Sequence, residues 1–351
     1  MTILARALAV CALLAAPAAA QQAIPIGIID FYGLREVSAD RARAALTFKE
    51  GDTVSDADEG RPAFLAASEA RLAALPGVAK ARLELVCCDN GRAIVYVGIE
   101  ERGSDVVTFR SAPDGNARLA PDIVAAGEEF SKALTQAVER GDAVEDRSRG
   151  HALNHDPAMR AVQDRFVLYA ERDLSKLRQV LRTSSHRDER ALAAQVLGYA
   201  PDKAAVVDDL AYGLSDPYQL VRNNAMRALL VIAEMAPRPG HEAPSIPAKP
   251  FIALLNSPVW SDRNKASSAL EALTRHRDPA LLDALKRQAI PALAEMARWK
   301  SDGHALGAFM ILGRLAGATD AEAQAAFDRG ARAEAVDAFL AEARARRNPR
   351  P

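Results

Sequence analysis

Three windows of the chain carry one pattern, R-x-x-A-x-x-[AV]-L. They are Arg190 with Ala193, Val196 and Leu197; Arg222 with Ala225, Ala228 and Leu229; and Arg263 with Ala266, Ala269 and Leu270. A degenerate fourth copy, Ala305 with Ala308, Ile311 and Leu312, lacks the arginine. The pattern places alanine where two helices must touch. The copies start 32, 41 and 42 residues apart; a repeat of this length points to a stacked helical array, because one helical pair cannot bury its apolar face alone. Composition agrees: 49% of residues are hydrophobic but only 5% aromatic, which suits closely packed helices better than a sheet sandwich. Such arrays present a surface and seldom carry chemistry of their own. The length suggests two domains.

The first twenty residues, MTILARALAVCALLAAPAAA, have Arg6 as their only charge, an apolar run from Ala7 to Ala16, then Pro17. Ala18-Ala19-Ala20 offers a cleavage site before Gln21. Residues 1–20 therefore read as a secretory signal. The expected destination is the periplasm, with the extracellular space as the alternative. Cys11 as a lipid attachment point would need a small residue before it; Val10 stands there, and the apolar run continues past it. No later segment is long and apolar enough to span a bilayer, and the alternating ten-residue strands of a barrel are missing. The formal charge of −1 becomes one unit more negative when Arg6 is removed, which gives no electrostatic reason to expect nucleic acid.

Residues 24–102 have a different texture. Ile24, Ile26 and Ile28 alternate, and Phe31 precedes Gly33, which predicts a strand and a turn. Ser38 can cap a short helix ending at Leu46, and Gly51-Asp52 breaks it. A second helix is expected over about 57–75, with Phe64, Ala67, Leu72 and Leu75 on its apolar face and Pro76-Gly77 as its end. Ala81, Leu83, Leu85 and Cys87 then alternate with Arg82, Glu84, Val86 and Cys88. Asp89-Asn90-Gly91 predicts a tight hairpin, and Val95, Val97 and Ile99 alternate on the return strand. The expected order is β-α-α-β-β.

That order and its landmarks resemble a POTRA domain, the periplasmic module of outer-membrane assembly, secretion and division proteins. The matching residues are Ile28-x-x-Phe31-x-Gly33; Leu46-x-x-x-x-Gly51-Asp52; Arg71-Leu72-x-x-Leu75-Pro76-Gly77-Val78; and Val95-x-Val97-x-Ile99-Glu100. The resemblance implies an α+β N-terminal domain with a strand edge available to a partner by β-augmentation.

Residues 103–172 read as a linker and leading helices. Pro121 suits a first helical turn, Ile123, Val124, Phe130, Leu134 and Val138 share a face, and Gly141 is a C-terminal stop. A polar loop follows, and Asp156-Pro157 caps a helix through Val162, Phe166, Leu168 and Tyr169. Beyond Asp173 the helical pairs resemble HEAT or armadillo-like repeats over about 173–320, with Asp216-Pro217 at a turn and Val221-Arg222 opening a helix. The resemblance implies an all-α C-terminal α-solenoid of HEAT-like repeats spanning 173–345. Pro237 through Pro247 reads as an irregular insertion, residues 321–345 as capping helices, and the tail after Arg344 as frayed.

Arg190, Arg222 and Arg263 can be read in two ways. They form a basic ladder for a protein partner, or each pairs with an acid of the neighbouring repeat, with Asp188, Asp216 and Asp262 nearby. As exposed ion pairs they would add roughly 0–1 kcal/mol each. On that footing Ala225→Leu or Ala266→Leu, at about 1–3 kcal/mol, would damage the fold more than Arg222→Ala.

The loop over 141–156 holds Asp146, Ser148, His151 and His155, and long loops often carry function. His151-x-x-x-His155 has metal-ligand spacing only on one helix, and Asp156-Pro157 puts His155 before a helix start. Position 152 is alanine, so HExxH is not formed. Asp146, Ser148 and His151 contain triad residue types, but residues this close along a chain rarely reach triad geometry. Cys87 and Cys88 read as two free thiols on opposite faces of a strand, Cys87 in the core beside Leu83 and Leu85 and Cys88 outward, with pairing of Cys88 to another chain as the alternative; adjacent α-carbons about 3.8 Å apart fall below the usual disulfide span. No phosphate loop, dinucleotide fingerprint or nucleophile elbow is present, so no catalytic residue, cofactor or metal is expected. The resulting expectation is an exported, non-enzymatic scaffold that binds protein partners. The alternatives are an accessory of outer-membrane protein assembly or secretion, and a hydrolase or metal protein using the 141–156 loop.

Overall fold

The structure is a computed structural model that describes residues 23–55, 61–105, 107–142, 144–148, 150–235 and 244–347. The leader read over 1–20, the start expected near residue 57 for the second helix, most of the Pro237–Pro247 insertion and the last four residues lie outside the described residues.

The N-terminal region runs β1 (Ala23–Tyr32), α1 (Ala39–Ala44), β2 (Thr53–Ser55), α2 (Ala63–Ala73), β3 (Val78–Asp89) and β4 (Arg92–Glu101). Its mixed sheet has the order β2-β1-β4-β3, with β1 and β4 parallel and both outer pairings antiparallel. Ser38 caps α1 by accepting the Arg41 N–H. Asn90 and Gly91, with φ of 50° and 73°, make the two-residue turn joining β3 to β4, as the Asn-Gly pair predicts. The expected strand-helix-helix order needs one correction. β2 intervenes between the helices and pairs with the start of β1, Ile24 opposite Val54. Three residues are too few to show an alternating pattern.

The central strands are covered on both faces. Val95, Val97 and Ile99 pack with Ile26, Leu46, Leu65 and Leu72 under α1 and α2. The residues between them, Ile94 and Tyr96, enter the core shared with the helical region. The alternation in the sequence therefore marks one buried face of β4 and leaves the second unannounced.

The reading of Cys87 and Cys88 as free thiols is also corrected. They form a disulfide with each other across a cis peptide bond, with α-carbons 3.1 Å apart. The expectation assumed trans spacing. Regular β3–β4 pairing also shifts between Val86 and Asp89, so simple alternation fails there, and Cys87, expected in the core, is exposed.

The outer edge of β3 is clasped at its middle. The Leu83 N–H donates to Glu69 Oε1 at 2.7 Å, the Leu83 carbonyl accepts from Arg61 Nη2 at 2.9 Å, and Arg61 and Glu69 pair with each other. Side chains from α2 and the residues before it thus occupy hydrogen-bonding groups that an added strand would use.

Beyond residue 120, the secondary structure of the described residues is helical except for one small ribbon. It comprises α3 (Pro121–Glu139), the ribbon strands β5 (Glu145–Asp146) and β6 (Leu153–Asn154), α4 (Pro157–Arg172), α5 (Leu174–Thr183), α6 (Arg187–Leu197), α7 (Ala204–Gly213) and α8 (Gln219–Glu234). It continues with α9 (Lys249–Leu254), α10 (Trp260–Thr274), α11 (Pro279–Gln288), α12 (Ile290–Met296), α13 (Asp302–Ala316), α14 (Asp320–Asp328) and α15 (Arg332–Arg347). Pro121 occupies the first turn of α3, and Gly141, at φ 72°, follows its end. Asp156 caps α4 by accepting the Met159 N–H. The four motif-bearing helices α6, α8, α10 and α13 pack side by side in that order, with α5, α7, α9 and α12 against their other side. Ala193, Ala225, Ala266 and Ala308 are fully buried at these contacts. A Cβ added to Gly213 on α7 would lie 3.0 Å from the Ala225 Cβ, which shows why this helix position needs a small side chain.

The sheet docks on the array through polar and aromatic contacts. Tyr32 Oη donates to the Pro258 carbonyl at 2.9 Å, the Gly33 N–H to Glu295 Oε1 at 2.7 Å, and the Lys300 N–H to Asp30 Oδ2 at 2.7 Å. Tyr96 stacks on Trp260 and tilts against Trp299. Its hydroxyl lies 2.7 Å from His304 Nδ1. Burial raises the Tyr96 pKa and lowers that of His304, which favours the neutral form of both groups.

Candidate functional site

The three motif arginines point inward. Arg190 and Arg222 are each 1% exposed and Arg263 4%. Arg190 clamps both carboxylate oxygens of Asp216, at 2.9 and 3.0 Å. Arg222 clamps Asp262 in the same way, at 2.8–3.1 Å, and Arg263 reaches Glu295 at 3.0 Å. Each also donates to the carbonyl six residues before it, namely Ser184, Asp216 and Ser257. One side chain therefore ties its own preceding turn to an acid further along the array. Asp216 and Asp262 are among the acids named from the sequence, and Glu295 is not. Asp188 pairs with neighbouring Arg187 instead.

What seals the ladder is the segment 103–120, read from the sequence as a linker. It lies as a strap along the array. The Arg110 N–H donates to the Ser215 carbonyl, the Ser185 N–H to the Gly115 carbonyl, and the Leu119 N–H to Glu189 Oε2. The Arg110 side chain joins Arg190 on Asp216. The Phe109 ring covers Arg222, 3.8 Å from its guanidinium carbon, and Tyr32 covers Arg263 at 4.6 Å. A partner cannot reach these cations without lifting the strap or the sheet.

The 141–156 loop is folded by its own short ribbon, with Glu145 opposite Asn154 and Asp146 opposite Leu153. Asp146 Oδ1 accepts the Ser148 N–H at 2.9 Å. His151 stacks on Tyr199, with centroids 5.9 Å apart, and its Nδ1 lies 3.0 Å from Lys203 Nζ. An ammonium can only donate, so this Nδ1 is the acceptor of a neutral ring. Burial pulls the Lys203 pKa down to about 8. His155 is exposed and precedes the Asp156 cap, so the two histidines do not share a helix face. Among the described residues no group of three or more His, Cys, Asp or Glu side chains converges as a metal site. Likewise, no described helix is long and apolar enough to cross a membrane.

The ribbon instead closes one end of a cavity of about 380 Å³. Its walls are Phe130, Ser131 and Leu134 of α3 and Leu220, Asn223, Asn224, Arg227 and Val231 of α8. Gln195 and Tyr199 at the end of α6 form its floor, and Glu145 and Asn154 its end. A second cavity of about 320 Å³ adjoins it through Ser131, Gln195, Leu220 and Asn224, and runs between Glu128 of α3 and Asp188 of α6. Together they form a groove. Arg227 pairs with Glu145, which also holds Arg147. Asn154 is fully buried; its Oδ1 accepts the Asp156 N–H, and its Nδ2 has no hydrogen-bond partner among the described residues. On α10, burial together with the Arg227 and Arg147 charges pulls the Lys265 pKa down to about 8.

The sequence reading singled out the loop at the end of this groove but none of the groove's carboxamides. A signal was available: Gln195 and Arg227 stand at the same step after Arg190 and Arg222. The chain matches no protein-family model and no curated protein sequence.

Proposed function

We propose that this chain is an exported, non-enzymatic interaction scaffold of the bacterial cell envelope: a POTRA-like sheet domain built onto a HEAT-like helical solenoid. The leader-like first twenty residues and the β-α-β-α-β-β order with a parallel central pair support the reading. The observation that carries it is the division of labour along the repeats. The charged motif positions are consumed in stacking, whereas the open face between α3 and α8 is lined with carboxamides and apolar side chains. Such groups bind polypeptide. The clasp on Leu83 makes the helical face, and not the middle of the β3 edge, the principal binding surface.

The test is site-specific photo-crosslinking in intact cells, with the probe at Leu220 in the groove wall or at exposed Glu342 on α15. Discrete protein adducts from position 220 and none from 342 are expected. Equal, diffuse labelling from both positions refutes the scaffold reading. Changing His151 and His155 together to alanine should leave the adducts in place. A hydrolase or metal protein using the loop would lose its activity instead. Co-purification of a barrel protein would narrow the role to outer-membrane assembly or secretion.

A further inference from the structure

Building on the scaffold reading, we propose that the groove between α3 and the α6–α8 face takes an extended peptide of defined polarity. Its basic side chain lies toward Glu128 and Asp188, and an apolar side chain fills the cavity beside Phe130 and Met159.

Size comes first. The adjoining cavities, about 380 and 320 Å³, lie in the range that encloses a bound ligand. Hydrogen-bonding character comes second. Gln195 makes no side-chain hydrogen bond among the described residues, and Asn154 Nδ2 is an unused donor. A carboxamide offers both a donor and an acceptor, which matches the two groups of a peptide bond. Leaving a buried donor unpaired is unfavourable, and a ligand carbonyl can remove that cost.

Apolar exposure is the third observation. Leu134 and Leu220, 38% and 42% exposed, flank the opening, and Val138 stands one turn beyond Leu134 on α3. Exposed apolar side chains gathered at a cavity mouth mark a binding surface.

Charge sets the direction. Glu128 has no cationic partner among the described residues, and the partner of Asp188, Arg187, is 3.9 Å away with both side chains exposed. That end is negative. At the other end stand Arg227 in the wall and Arg147 behind it, against Glu145 and Glu234, with the Lys265 charge felt by the same group. A lysine or arginine is drawn to the first end, and carbonyl oxygens to the second.

The experiment measures fluorescence anisotropy of fluorescein-labelled, C-terminally amidated octapeptides on the full chain. Each peptide has a Ser/Ala background, one leucine and one lysine two to four positions apart. Matched peptides carry glutamate for lysine or serine for leucine. The lysine–leucine peptides should bind at least tenfold tighter than either control, and added salt should weaken them. Glu128→Lys should reverse the charge preference, and Leu220→Ser should weaken all leucine peptides about tenfold. Thermal melts of both surface variants should match the parent. An unchanged charge preference in Glu128→Lys, or no peptide bound above background, overturns the proposal. If the peptides fail while adducts from position 220 persist, only this specificity falls. If both fail, the scaffold reading falls with it.

Discussion

Arg222 shows how strongly burial changes the weight of one residue. Its guanidinium holds both oxygens of Asp262 and the carbonyls of Asp216 and Pro217, with a phenyl ring on its face. Asp262 is fully buried. Arg222→Ala leaves that carboxylate uncompensated and should cost about 3–5 kcal/mol in denaturant unfolding. The ranking drawn from the sequence, with the arginine change milder than Ala225→Leu, is thereby reversed. Replacing both partners with apolar residues of similar volume, Arg222→Met with Asp262→Leu, should recover most of the loss. Lys265 makes the complementary case. Its folded pKa of about 8 lies below its ordinary 10.5, so between these values the unfolded chain binds more protons than the folded one. Stability from this group therefore rises with pH across that window. Lys265→Met should raise the melting temperature at pH 7, and the advantage should fade between pH 8 and 10.5. A constant difference across that range would show that the ammonium is not the cause.

At the scale of elements, close helix contact and strand-edge protection both lead to measurable outcomes. Ala225 on α8 faces Gly213 on α7 with no room for a longer side chain. Ala225→Leu should cost about 1–3 kcal/mol, read from the same unfolding curves. On the sheet, Glu69→Ala removes the acceptor of the Leu83 N–H and loosens Arg61. Amide exchange at Leu83 should accelerate at least tenfold while Val97 stays protected, because Val97 lies in the inner strand β4, paired with Leu83 and Phe31 on its two sides. Val97→Pro, by contrast, should abolish the sheet, since proline removes a ladder donor and cannot be accommodated between two strands.

For the whole molecule, the decisive feature is the junction of sheet and array. Both tryptophans of the chain, Trp260 and Trp299, pack on Tyr96 there. Gly98 lets β4 approach: a Cβ at that position would lie 2.4 Å from the Pro258 carbonyl oxygen and 2.6 Å from the Tyr32 ring. Gly98→Val should therefore undock the sheet. The expected signs are a red shift of tryptophan emission, splitting of one cooperative melt into two, and proteolysis within the 103–120 strap. Retention of a single melt and of the parent emission would mean that the two regions are not energetically coupled through this contact.

Local chemistry decided a good part of this fold. Ser38 and Asp156 set helix starts, Pro121 and Gly141 bracket α3, and Asn90-Gly91 fixes the hairpin. The repeated alanines announce the helix contacts. These features act within a few residues, or recur at a fixed period, so they are written along the chain. The sequence could not reveal which groups become neighbours across hundreds of positions. The strap over Arg222, Tyr96 against Trp260 and His304, and Asn154 and Arg227 lining one cavity depend on how the array curls and where the sheet lands. Burial is a property of that assembly. It turned an apparent basic ladder into an internal brace.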